Sequence, residues 1–150
     1  MVEIKRTDRY EDAYEIAKAL SEYFNEGGLK LIKESVKNEV LYGAFEGDKM
    51  IGFTTYKILN PEAIELSFIG ILPDYRGKGT GSFFVQETLK EIGSGYKVCE
   101  VKTLAETVED ENYARTRNFW RKQGFIPIEI IDPYPGWDPG NPCQILVRLL

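Results

Sequence analysis

The chain contains no histidine. That absence removes the side chain that most often acts as a general base near neutral pH. It also removes any Ser–His or Cys–His nucleophile pair and the commonest zinc ligand, so no metal is expected. Cysteine is scarce: Cys99 and Cys143 are too few for a disulfide framework, and both sit in apolar, strand-like contexts. They read as reduced and buried, with a cytoplasmic location expected. No apolar run approaches the length of a membrane span. Met1-Val2-Glu3-Ile4-Lys5 lacks the features of a signal peptide, and no membrane partner is expected. Basic charge is short as well, with 19 Lys and Arg against 24 Asp and Glu and a net charge of −5. A general nucleic-acid footprint is excluded on that balance, which favours a cationic or amine partner instead.

What is present suits one domain spanning residues 1–150 around one core. Hydrophobic residues make up 43% and charged residues 29%, as in ordinary globular proteins. Val2 to Thr7 reads as a strand. Asp8, with Glu11 three residues on, predicts a capped helix whose apolar positions are Ala13, Ile16, Ala17, Leu20 and Phe24. Gly27-Gly28 is expected to break it, before a second helix with Leu29, Ile32 and Val36 on one face. Val40–Phe45 and Met50–Leu59 read as a hairpin turning at residues 46–49. Ala63–Leu72 is a further strand. A helix from Ser82 to Ile92, a strand from Tyr96 to Leu104, a helix from about Asn112 to Gln123, and strands Phe125–Ile131 and Gln144–Leu150 complete the chain. The order β-α-α-β-β-β-α-β-α-β-β implies an α/β fold of the α+β kind: a mixed sheet with helices on its faces.

Between the strand ending at Leu72 and the next helix lies Pro73-Asp74-Tyr75-Arg76-Gly77-Lys78-Gly79-Thr80-Gly81-Ser82. Glycines at every second position let the backbone approach a ligand and adopt positive φ. The helix start behind them adds unpaired N–H groups and the positive end of the dipole. Arg76 and Lys78 contribute two cations. The stretch reads as an anion site, most naturally for phosphate; the plain alternative is a tight strand-to-helix turn. It is neither G-x-x-x-x-G-K-[ST] nor G-x-G-x-x-G, so nucleotide-triphosphate and dinucleotide loops are excluded.

The run Ile71 to Gly81 resembles motif A of the GCN5-related N-acetyltransferases (GNAT), R/Q-x-x-G-x-G/A, with Arg76, Gly79 and Gly81 at its three defining positions. Farther along, Phe119-Trp120-Arg121-Lys122-Gln123-Gly124-Phe125 is similar to that family's F-Y-x-K-x-G-F helix end. The strand and helix order matches over essentially the whole chain. The resemblance implies a central, largely antiparallel mixed sheet flanked by about four helices. It also implies acetyl-CoA as acyl donor, with the pantetheine arm along Ile69, Gly70 and Ile71 and the pyrophosphate on the amides of Gly77, Lys78, Gly79, Thr80, Gly81 and Ser82, beside Arg76. Asn112 or Tyr113 is implied as a further cofactor contact. The acceptor would be a primary amine of a small molecule or peptide; a homodimer is left open.

Direct attack of an amine on a thioester needs a deprotonated amine, a polarised carbonyl and a proton for the leaving thiolate. The family's tyrosine donor is replaced here by Trp120, whose indole does not ionise usefully. Tyr113, seven residues earlier and on the same helix face, a water, or release of unassisted thiolate are the alternatives. Glu65 and Glu100 are candidate general bases. Period-two alternation predicts Glu65, Ser67, Ile69 and Ile71 on one strand face. Tyr23, Phe24, Tyr134 and Trp137 are candidate walls for an amine, through stacking or cation–π contact. Because Trp120 replaces tyrosine, a second reading stands beside the enzyme: an acyl-CoA-binding sensor or interaction module of the same fold, without efficient transfer.

Overall fold

A computed structural model describes all residues, 1–150. The elements are β1 (Val2–Arg6), α1 (Tyr10–Ala19), α2 (Glu26–Asn38), β2 (Val40–Glu46), β3 (Lys49–Asn60), β4 (Ala63–Ile71), α3 (Thr80–Ile92), β5 (Val98–Leu104), α4 (Glu111–Lys122), β6 (Ile126–Ile131) and β7 (Cys143–Leu149). The seven strands form one sheet in the order β1-β2-β3-β4-β5-β7-β6. Every pairing is antiparallel except that of β4 with β5. This is the expected mixed, largely antiparallel sheet with four helices.

Alternation along the strands feeds two cores, one per sheet face. On one face Tyr42, Tyr56, Ile64, Leu66, Ile71, Cys99, Val101 and Leu146 pack under Phe84, Val85 and Leu89 of α3 and Trp120 of α4. On the other, Leu41, Phe45, Met50 and Phe53 pack under Ala13, Ile16, Ala17 and Leu20 and under Ile32 and Val36. The second set includes most of the apolar positions that the 3.6-residue spacing singles out. No helix is long and apolar enough to cross a membrane.

Three local expectations need correction. Asp8 is not the helix cap: the position before α1 is Arg9, with no side-chain cap, and Thr7 Oγ1 accepts the Arg9 N–H at 3.2 Å. Gly27 and Gly28 do not break a helix but lie in the first turn of α2, where Asn25 Oδ1 accepts the Gly28 N–H. A side-chain cap at Asn25 stabilises the start by about 1 kcal/mol, which offsets part of the helix cost of two glycines. The alternation along β4 is interrupted. Ser67 is the extra residue of a bulge, since Thr55 pairs with Phe68 while Tyr56 pairs with Leu66. Ile64 and Leu66 join the α3–α4 core, so Glu65 between them faces the α1–α2 side; past the bulge Ile69 and Ile71 return to the α3–α4 side. Glu65 therefore lies on the opposite face from Ile69 and Ile71.

Candidate functional site

The parallel pair β4–β5 is joined at Ala63–Val98, Ile64–Cys99 and Glu65–Glu100 and nowhere beyond. From Leu66 and Val101 onward the strands part. β5 continues against β7 through Leu104, and β4 against β3 through Ile71. A slot opens between them, flanked on one side by an unpaired strand edge containing Ile69, Gly70 and Ile71. Such an edge can accept an extended ligand as it would another strand. Gly70 is fixed by packing: a Cβ there would lie 2.7 Å from Phe53 Cε1 and 2.8 Å from Leu20 Cδ1. Gly70→Ala should cost about 1–3 kcal/mol by overpacking, read as a lowered denaturation midpoint; an unchanged midpoint would contradict the packing.

At the end of β4 the chain makes a 3-10 turn, Pro73–Tyr75, and enters the glycine loop. Gly77 and Gly79 have φ of +74° and +76°, the left-handed conformation that glycine adopts without strain. Gly79 is the residue before α3. The first amide past Arg76 to donate a backbone hydrogen bond is that of Phe83, to Gly79 O. The amides of Gly77, Lys78, Gly79, Thr80, Gly81 and Ser82 have no internal acceptor and are gathered at the positive end of a 13-residue helix. Gly81 has a second reason to be glycine. A Cβ there would point at Phe119 of α4, 3.2 Å from its Cε1, and not into the open space before the loop. Ser82 Oγ accepts from Gln123 Nε2, and Gln123 Oε1 accepts from Gln86 Nε2, tying the start of α3 to the end of α4.

Arg76 does not add its guanidinium to this ring of amides. Its Nε donates to Ile71 O at 3.1 Å and its Nη1 to Glu22 Oε1 at 2.8 Å, with the guanidinium 5.2 Å from the centre of the Tyr23 ring. Lys78 is exposed, with Nζ 6.0 Å from the Tyr75 ring centre.

The root of the slot holds the two carboxylates. Glu65 and Glu100 are partners on the last paired rung. Between them sits a residue that the sequence reading missed: Lys102 Nζ lies 3.3 Å from Glu65 Oε1, 3.9 Å from Glu100 Oε1 and 4.9 Å from the Tyr134 ring centre. Period two along β5 puts Lys102 on the face of Glu100, a signal that was available. Burial pushes the Glu65 carboxyl above its usual range, and Lys102 opposes that shift. Burial pulls Lys102 down, but the Tyr134 phenol and Glu65 outweigh it and leave the ammonium above its ordinary value. The Tyr134 and Trp137 rings lie 5.5 Å apart at a tilt of 58°, and Trp137 N donates to Tyr134 O. Phe24 meets Phe68 edge to face at 6.2 Å. The proposed wall residues thus fall into two groups: Tyr134 by Lys102, and Tyr23 and Phe24 near Arg76 and Phe68.

On α4, Asp110 Oδ1 accepts from the amides of Asn112 and Tyr113 at 2.9 and 3.2 Å. The Asn112 side chain is taken by Arg115 Nη2. Tyr113 is half-buried, and burial, then Asp110, raises its phenol above the ordinary value. Trp120 is 4% exposed, with its ring edge-on to Phe119 and Phe125 at 5.0 and 5.3 Å. Burial pushes the thiols of Cys99 and Cys143 up to about 12 and about 11, so neither supplies a thiolate near neutral pH.

Comparison with known proteins agrees with this arrangement. The model of the acetyltransferase (GNAT) family matches residues 5–125. A GNAT-family protein from Desulfovibrio desulfuricans superposes with a TM-score of 0.85 at 17% identity, covering 99% of each chain. The ribosomal-protein-S18-alanine N-acetyltransferase from Escherichia coli gives 0.77 at 18% identity, covering 99% of this chain and 94% of that one. A GNAT acetyltransferase from Elizabethkingia anophelis, solved with acetyl-CoA bound, gives 0.72 at 16%, covering 99% and 98%. No curated protein matches the sequence. A family match over most of the chain, together with the parted strands and the free amides beside them, places this chain in the acetyltransferase (GNAT) family.

Proposed function

We propose that the protein is an acetyl-CoA-dependent N-acetyltransferase acting on a primary amine of a small molecule or peptide by direct attack. The observation that carries this reading is the slot between β4 and β5 beside the unpartnered amides of Gly77 to Ser82. The group fits the residues present. The amides suit a pyrophosphate, and the open β4 edge suits an extended arm carrying amides of its own. When bound, acetyl-CoA supplies an activated acetyl thioester. Ile69, Gly70 and Ile71 hold and orient its arm, and the Ile71 N–H polarises the carbonyl. Glu65, on the α1–α2 face at the root of the slot, takes the proton from the incoming ammonium, directly or through water. Lys102 holds the Glu65 carboxylate in place and is itself shared with Glu100. Tyr23, Phe24, Tyr134 and Trp137 flank the amine. Tyr113 is the remaining phenol for the departing thiol, because the ring of Trp120 belongs to the core.

A base must be deprotonated, so activity rises with pH through the carboxyl's titration. Lys102→Met removes the cation that holds Glu65 down, and the acid limb of kcat/KM should move to higher pH. An unmoved limb would exclude Glu65 as the base. The reading as a whole is tested by thiol release from acetyl-CoA with a panel of polyamines, aminoglycosides and peptide N-termini. Turnover of at least one amine is expected. Tight CoA binding with no release for any amine would instead establish the sensor, and absence of CoA binding would defeat both.

A further inference from the structure

Arg76 stands between the two sites without belonging to the ring of free amides. Its three contacts lie outside the loop: with Ile71 O at the end of β4, with Glu22 Oε1, and with the Tyr23 ring. Glu22 and Tyr23 lie in the connection between α1 and α2. At either side of the pair that connection is anchored by Leu20 and Phe24 on the core, while Glu22 itself is exposed. Tyr23 N and Phe24 N both donate to Leu20 O, and Phe24 leans on Phe68. A planar guanidinium can hold a carbonyl, a carboxylate and an aromatic face at once, which a lysine cannot. The pair is half-exposed, with Glu22 49% and Arg76 34% exposed, so its worth to global stability is small. Its effect is one of placement: it ties the position of Tyr23 and Phe24 to the end of the strand that carries Ile69 to Ile71.

We propose that Arg76 is a positioning residue for the acceptor wall, acting through Glu22 and Tyr23, and that the Arg76–Glu22 pair sets the affinity for the amine and not for the CoA. The proposal rests on the acetyltransferase reading of the site. Glu22→Gln is the test, since it removes the charge and keeps the size of a side chain outside the amide ring. With an amine that the wild type turns over, the KM for that amine should rise about tenfold, with kcat and the CoA dissociation constant nearly unchanged, as expected for a mislaid wall. Glu22→Asp should recover part of the loss. A second readout needs no acceptor. In Glu22→Gln the Tyr23 and Phe24 amides should exchange hydrogen faster, while those of Ala13 to Ala17 do not change. An unchanged amine KM, or an equal loss of CoA affinity, would overturn the proposal. Wild-type protein that fails to bind CoA would overturn the enzyme reading instead, and the exchange measurement alone would then show whether Arg76 holds this wall; unaltered exchange would dismiss it.

Discussion

Gly79→Glu is expected to abolish CoA binding while the protein stays folded. The residue precedes α3 at a φ of +76°, and no heavy atom lies within 4 Å of where its Cβ would be. An added side chain therefore meets no neighbour but enters the space that the free amides face. The left-handed backbone costs a non-glycine residue about 1–2 kcal/mol, tolerable for a domain stable by about 5–15 kcal/mol. A carboxylate about 4 Å from a phosphate loses about 4 kcal/mol at an effective dielectric near 20, close to a thousandfold in affinity. Gly79→Ala should show the strain without the charge and bind more weakly than wild type but measurably. Calorimetry with CoA reads both; equal binding by Gly79→Glu would remove the loop from the site.

Trp120→Ala should cost about 3–5 kcal/mol of stability, the toll for emptying a buried aromatic site. The ring is enclosed between Phe119 and Phe125 and under the α3 face of the sheet. Trp120→Tyr should lose less and should not raise turnover at high pH, because a phenol in that enclosure is a packing residue before it is an acid. Urea denaturation gives the first number, and the pH–rate profile gives the second. A loss below about 1 kcal/mol for Trp120→Ala, or a gain in turnover for Trp120→Tyr, would return position 120 to the catalytic group.

The order of elements was legible because α1, α2 and α3 carry 3.6-residue apolar stripes and turn residues separate the strands. The backbone of the glycine loop was legible from its glycines, two of which do adopt positive φ. What could not be read is what depends on long-range register. The bulge at Ser67 leaves no mark in hydrophobicity, yet it reverses the face of Glu65 relative to Ile69 and Ile71. Gly81 looked like its neighbours, but its missing side chain makes room for Phe119 as well as freeing an amide. That Arg76 meets Glu22, far away in sequence, could not be read either. Period two puts Lys102 on the face of Glu100, but that it also reaches Glu65 depends on the pairing of β4 with β5.

Amide chemical shifts of the labelled protein, recorded as CoA is added, test the central claim most directly. The largest changes should fall on Gly77, Lys78, Gly79, Thr80, Gly81 and Ser82 and on Ile69 to Ile71 of β4, with β1 and β2 nearly unmoved. Shifts concentrated elsewhere, or none at saturating CoA, would contradict the assignment of this loop and slot as the acetyl-CoA site.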